Sequence, residues 1–262
     1  KKTGEELAKE NCSSCHKFPD PSLLDKKTWN DHVLVEMSYR LGMRNKFELL
    51  TKIPEEQFQS AVELNIYPDS PEMSVEDWQS IVDYYTQNAP SSPLPQKARS
   101  PISTNPLHFT QETFIYPQVN LGGVTSVKVH PTKPEAWVGM NTNETVILDS
   151  KLQVKSKIRS QSPNVNTAFI QGKTFLLGIG KMYPNDQKLG SLYQLKSDGK
   201  LDKLVDSLKR PVDMQLADFN GDGNQDYLIC EYGFEAGQLV WVDGKTKERH
   251  LLKTQAGSRN VI

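Results

Sequence analysis

Cysteine is scarce in this chain: Cys12, Cys15 and Cys230 are the only three in 262 residues, too few for the disulfide framework that holds small secreted domains together. Long apolar runs are missing as well. No stretch of 18 consecutive apolar residues occurs, so nothing reads as a membrane-spanning helix. Net charge is nearly absent, with 31 Lys and Arg against 32 Asp and Glu. The balance is 12 against 16 over the first 99 residues and 19 against 16 over the rest, which argues against a nucleic-acid partner. There is no Gly-x-Ser-x-Gly, His-Glu-x-x-His or phosphate loop, and His108, His130 and His250 are scattered through unrelated segments. No catalytic residue is therefore assigned.

What the chain does have is Cys12-Ser-Ser-Cys15-His16. Two thiols three positions apart can each form a thioether to one haem, and the histidine that follows is then held beneath the iron as proximal ligand. A zinc site would need two more ligands nearby, and the remaining cysteine is far along the chain. A thioredoxin-like site would need a βαβ context, whereas these flanks read as helical. Covalent haem c is thus the expected cofactor. Its attachment implies export, to the periplasm, outer membrane or cell surface of a bacterium, and the signal segment is absent from a chain that begins at Lys1. Cys230, within Asp226-Tyr-Leu-Ile-Cys-Glu-Tyr, reads as a buried, unreactive thiol on a strand.

Capping signals and apolar spacing predict four helices in the first ninety residues. Thr3-Gly-Glu-Glu6 is a capping box that opens a short helix delivering Cys12 and Cys15. Thr28-Trp-Asn-Asp31 repeats the signal, and Trp29, Val33, Met37 and Leu41 then recur every four residues on one face of a helix ending near Gly42. A third helix starts at Pro54. The last is capped by Ser74, with Val75, Trp78, Ile81, Val82 and Tyr85 as its apolar stripe and Pro90 beyond its end. Residues 90–103 are a Pro/Ser-rich, semi-rigid linker.

Beyond it the period changes to alternation, in short strand candidates at 124–129, 136–139, 145–148, 174–178, 191–195, 227–230 and 238–242 separated by Gly, Asn, Asp and Pro. Gly123-Val124, Asn164-Val165, Pro211-Val212 and Asn260-Val261 open similar units, their valines 41, 47 and 49 residues apart. Units of this length with four short strands suggest propeller blades. Three blades do not close a ring, so the native protein is expected to continue past Ile262.

The second chemical motif is Asp218-Phe-Asn220-Gly-Asp222-Gly-Asn224-Gln-Asp226. Oxygens at positions 1, 3, 5 and 9, a glycine at 6 and a carbonyl at 7 form the ligand pattern of a calcium loop, here Asp218, Asn220, Asp222, the Asn224 carbonyl and Asp226. Position 12 is Ile229 rather than the glutamate of an EF-hand, so this loop joins strands.

Ala217-Asp-Phe-Asn-Gly-Asp-Gly-Asn-Gln-Asp-Tyr-Leu followed by Gly237-Gln-Leu-Val-Trp resembles the FG-GAP/VCBS repeats of integrin-like β-propellers, and the first ninety residues resemble class I-like cytochrome c domains. The pair resembles bacterial exported haem proteins that join the two. This implies a multidomain fold, an all-α cytochrome c domain (1–89) followed after the linker by an incomplete all-β propeller of about three blades (104–262). It also implies a sixth haem ligand. Met37 is favoured, because in the cytochromes with Trp-x-x-x-Val-x-x-x-Met after the haem motif the helical methionine binds iron opposite His16; Met73, just before the Ser74 cap, is the alternative. His32 on the same helix reads as a surface residue. The expected function is electron transfer by haem c, with a Ca2+-binding propeller as docking or scaffold module, redox proteins as partners and a place in a larger cell-envelope complex. A haem-containing oxidoreductase whose complete propeller oxidises a sugar or alcohol, and a surface adhesion protein, are the alternatives.

Overall fold

The computed structural model describes residues 2–14, 16–102, 110, 122–254 and 256–259. The chain divides into two units, residues 1–54 with 65–112, and residues 55–64 with 113–262.

In the second unit twelve strands form three four-stranded antiparallel sheets, each a meander in chain order. The first holds β1 (Val124–Val129), β2 (Ala136–Met140), β3 (Glu144–Leu148) and β4 (Val154–Arg159). The second holds β5 (Asn164–Ile170), β6 (Lys173–Gly178), β7 (Gly190–Leu195) and β8 (Leu201–Leu208). The third holds β9 (Pro211–Ala217), β10 (Asp226–Glu231), β11 (Gln238–Val242) and β12 (Arg249–Lys253). Three such meanders in succession are propeller blades. The leading strands lie side by side, β1 next to β5 and β5 next to β9. Side chains tie them: Thr125 Oγ1 donates to the Asn164 carbonyl (2.6 Å) and Asn166 Nδ2 to Asp213 Oδ1 (2.5 Å).

The two-residue period of a strand decides which neighbour each side chain meets. On the middle blade Leu176 and Tyr193 pack with Trp137 and Ile147 of the first. Phe175, Leu177 and Leu192 point the other way, onto Met214, Tyr227, Ile229 and Val240 of the third. Both faces of this blade are therefore dry, which explains why β6 and β7 read as near-continuous apolar runs. Cys230 is buried, and burial pushes its thiol up to about 11. A proton held that tightly makes it a poor nucleophile at neutral pH.

In the first unit, α1 (Gly4–Cys12) opens on the expected capping box: the Thr3 hydroxyl accepts from the Glu6 amide (3.2 Å) and the Glu6 carboxylate from the Thr3 amide (2.8 Å). It packs against α5 (Val75–Asn88), whose cap is Ser74. The crossing requires Gly4, since a Cβ there would stand 2.1 Å from the Ser80 carbonyl oxygen. Between them lie α2 (Lys26–Thr28) and α3 (Leu34–Arg40), joined by a π-helical turn at Trp29–Val33. The N-cap here is Asp25, not Thr28. Helix α4 (Glu55–Glu63) belongs to the β-containing unit.

Two expectations are corrected. The fold is not an all-α cytochrome c domain followed by an all-β propeller. The described structure is mainly β, the longest helix spans 14 residues, and one of the expected N-terminal helices goes with the sheets. Capping signals specify where short helices begin; they do not specify that these close into a self-contained all-α domain. The stripe Trp29, Val33, Met37, Leu41 also does not persist. A π turn inserts one residue into the helical repeat, so the face that Trp29 starts continues through Leu34, Ser38 and Tyr39, all buried, while Met37 and Leu41 are only half-buried.

Candidate functional site

The apolar cluster of the first unit is built from α1, the π turn and α5: Leu7, Ala8, Trp29, Leu34, Ile81, Tyr85 and Ala89. Trp29 is the central piece. Its ring centroid lies 4.4 Å from that of Tyr85, and its Nε1 donates to the Pro21 carbonyl at 2.9 Å. Cys12, at the end of α1, packs against this cluster, as do Phe18, Val33 and Met73 from other segments. Burial pushes the Cys12 thiol up, and the Tyr85 hydroxyl beside it works in the opposite direction. That hydroxyl also donates to the Pro19 carbonyl (2.8 Å), and burial, followed by the neighbouring Cys12, raises its own pKa.

His16 is exposed, with Nδ1 2.9 Å from the Lys17 carbonyl oxygen. A carbonyl can only accept, so Nδ1 is the donor, which in the neutral ring puts the lone pair on Nε2, the arrangement found in metal-binding histidines whose other nitrogen is held by a carbonyl. These residues fit a haem held from Cys12 and His16: a half-buried thiol at an apolar edge, and an imidazole with a free nitrogen. Cys15 lies outside the described residues. Of the two sulfur candidates, Met73 shares the cluster with Cys12, whereas Met37 is outside it. The π turn at Trp29–Val33 changes the phase that Met37 takes, which no spacing rule based on 3.6 residues per turn could register.

The loop between β9 and β10 is wound around its own side chains. Asp218 Oδ1 accepts from the amides of Gly221 (2.7 Å) and Asp222 (3.1 Å), and its Oδ2 from Gly223 (2.8 Å). Asn220 Oδ1 accepts from Asp222, and Asp222 Oδ1 from Asn224. Asp218, Asn220, Asp222 and Asn224 are exposed. Asp226 is different: it is fully buried, and its two oxygens accept from Gly244 (2.7 Å) and Phe219 (3.1 Å). Among the described residues no three acidic, His or Cys side chains converge closely enough to hold a metal ion. The exposed loop oxygens have the chemistry for a hard cation, while Asp226 braces the loop against the β11–β12 turn.

A third constellation escaped the sequence reading. The loop between β6 and β7 (179–189) and that between β10 and β11 (232–237) are bound together by the buried Asp186 and the half-buried Arg210. Asp186 Oδ1 accepts from the amides of Phe234 (2.7 Å) and Ala236 (3.0 Å), and its Oδ2 from that of Glu235 (3.1 Å). Arg210 donates to the carbonyls of Gly233 (3.3 Å) and Met182 (3.2 Å), with its guanidinium carbon 5.3 Å from the centre of the Tyr232 ring. Glu231 is also fully buried; burial raises its carboxyl, against the opposing hydrogen bonds from Gln238 and the Lys209 amide. The loop residues look like ordinary turns in sequence. Their partners lie in the next repeat, some fifty positions away, as Asp186 and Ala236 do.

No family model matches the sequence, and no curated protein matches it. Solved structures do. The chain is similar to the WD40 domain of Neurospora crassa Pan2, at 15% identity and a TM-score of 0.40, covering 58% of this chain and 42% of that one. It is also similar to the Dos1 propeller, at 12% identity and a TM-score of 0.38, covering 51% of this chain and 36% of that one. The chain thus spans less than half the length of either.

Proposed function

We propose that the protein is an exported electron carrier: a c-type haem bound through thioethers from Cys12 and Cys15 with His16 as proximal ligand, on a chain whose propeller blades serve as docking module. The observation that carries this reading is His16. The motif supplies two thiols and an imidazole, and the Nδ1 contact with the Lys17 carbonyl leaves Nε2 available. When bound, the haem supplies reversible one-electron chemistry. The residues around it hold and orient it. Cys12, Phe18 and Met73 all pack against the cluster built on Trp29 and Tyr85, and Met73 is the sulfur we assign as the second ligand that would hold the iron, in place of Met37. Protein produced with a cytochrome c maturation system should keep its colour through acid–acetone extraction, because thioethers do not dissociate. Haem passing into the organic phase would overturn the reading.

The β9–β10 loop is part of the same proposal. Its spacing and its exposed oxygens support one calcium ion, held by Asp218, Asn220, Asp222 and the Asn224 carbonyl with Asp226 at the ninth position. An ion bound only by the folded state stabilises it by mass action, about 2.7 kcal/mol at a hundredfold excess over Kd. Calcium should therefore raise the Tm of the β-containing unit, and Asp222→Ala should remove the rise without altering the haem spectrum. A Tm indifferent to both chelator and calcium would leave the loop as a self-capped turn.

A further inference from the structure

The loops that Asp186 and Arg210 lock together carry a set of large apolar side chains held in solvent. Met182, Tyr183 and Leu189 on one loop and Tyr232 and Phe234 on the other are all exposed, Tyr183 by 56%. Their backbones are fixed from beneath by the three amides bound to Asp186 and the two carbonyls bound to Arg210. Apolar surface kept in water on a rigid base marks an interaction site rather than a flexible turn. Within the two loops and at Arg210 the accessible charge has one sign. The two acids of these loops, Asp186 and Glu235, are buried, whereas Lys188 is exposed and Lys181 and Arg210 are partly so, Lys181 with its amino group 5.4 Å from the Tyr183 ring centre.

We infer that this loop end is a docking surface for an acidic protein segment with an aromatic or aliphatic anchor. Cationic groups around an apolar centre favour a negatively charged partner and speed its encounter, while the buried apolar contact sets the dissociation rate. The same unit brings one acidic segment to the rim of this surface and leaves the five apolar side chains exposed. Gln57 of α4 donates to the Pro184 carbonyl at 3.3 Å, and α4, Glu-Glu-Gln-Phe-Gln-Ser-Ala-Val-Glu, has three glutamates, one phenylalanine and no basic residue. The inference does not depend on the haem.

The test is fluorescence anisotropy of the whole protein with a labelled peptide copying residues 53–66, with a second peptide in which each glutamate is lysine, and with neutral and sulfated oligosaccharides. The acidic peptide should bind, weaken as salt rises, and lose about tenfold in affinity in each of Tyr183→Ser and Lys188→Glu. Both positions are exposed, so neither change threatens the fold. Failure of the acidic peptide to bind, equal binding by the lysine peptide, or unchanged affinity in both variants would overturn the proposal. Oligosaccharide binding lost in those variants, without peptide binding, would assign the surface to glycans instead.

Discussion

Asp186→Ala should destabilise the β-containing unit by about 3–5 kcal/mol, more than most single substitutions in a turn. The side chain is 3% exposed and accepts three amides from residues 234–236. Truncation leaves three donors with no acceptor where water has little access, and each such donor costs about 1–3 kcal/mol. Asp186→Asn separates this account from a general effect of the turn. Its one carbonyl oxygen can take the position of Oδ1 and keep the Phe234 and Ala236 bonds, but its NH2 then faces the Glu235 amide, donor against donor. The asparagine variant should therefore lose about 1–3 kcal/mol, between wild type and alanine. Urea unfolding followed by the strand signal in far-UV circular dichroism measures both. Losses below about 0.5 kcal/mol in the two variants would place Asp186 among ordinary surface turn residues.

Asp186 also illustrates where the sequence stops being informative. Strands whose neighbours bury both faces, β6, β7 and β10, announce themselves as apolar runs between turn residues, and the valine spacing marks the blades. The outer strands do not. β4, Val-Lys-Ser-Lys-Ile-Arg, is largely exposed, and β8, Leu-Asp-Lys-Leu-Val-Asp-Ser-Leu, fully buries only Val205 and Leu208, so neither carries a simple alternating pattern, and they form because each completes a ladder begun by the strand before it. The leading strands β5 and β9 carry Asn166 and Asp213, polar residues that read as loop until their pairing across blades is seen. Bonds between repeats have no local signature at all.

The same limit explains the haem-side reading. As proposed haem attachments, Cys12 and His16 are legible because covalent and ligand chemistry would fix residue type and spacing. A methionine ligand for the proposed haem would not be, because its position depends on helix phase. One extra residue in the Trp29–Val33 turn, where the Leu34 amide bonds the Trp29 carbonyl five positions back, rotates everything that follows. Leu34 enters the core in place of the expected continuation, and Met73 reaches the cluster from the segment before α5.

Trp29 is the residue on which that arrangement turns, and Trp29→Ala should cost the first unit about 3–5 kcal/mol, the range for emptying a buried aromatic site. The side chain is 2% exposed, meets Tyr85 at a tilt with ring centroids 4.4 Å apart, and belongs to the cluster that α1 and α5 share. Its removal opens a cavity in this cluster and leaves the Pro21 carbonyl without its donor. Trp29→Phe keeps much of the ring volume and loses only the indole bond, so it should cost about 1–2 kcal/mol through the unpaired carbonyl and the smaller contact area. Helical circular dichroism during urea unfolding ranks the three proteins, and the β signal should be unchanged across them. Hydrogen exchange adds a local readout: in Trp29→Ala the Leu34 amide, bonded to the Trp29 carbonyl, should lose its protection before the amides of α5 do. A phenylalanine variant as unstable as the alanine one would mean that the bond to Pro21, rather than packing against Tyr85, holds the π turn in place.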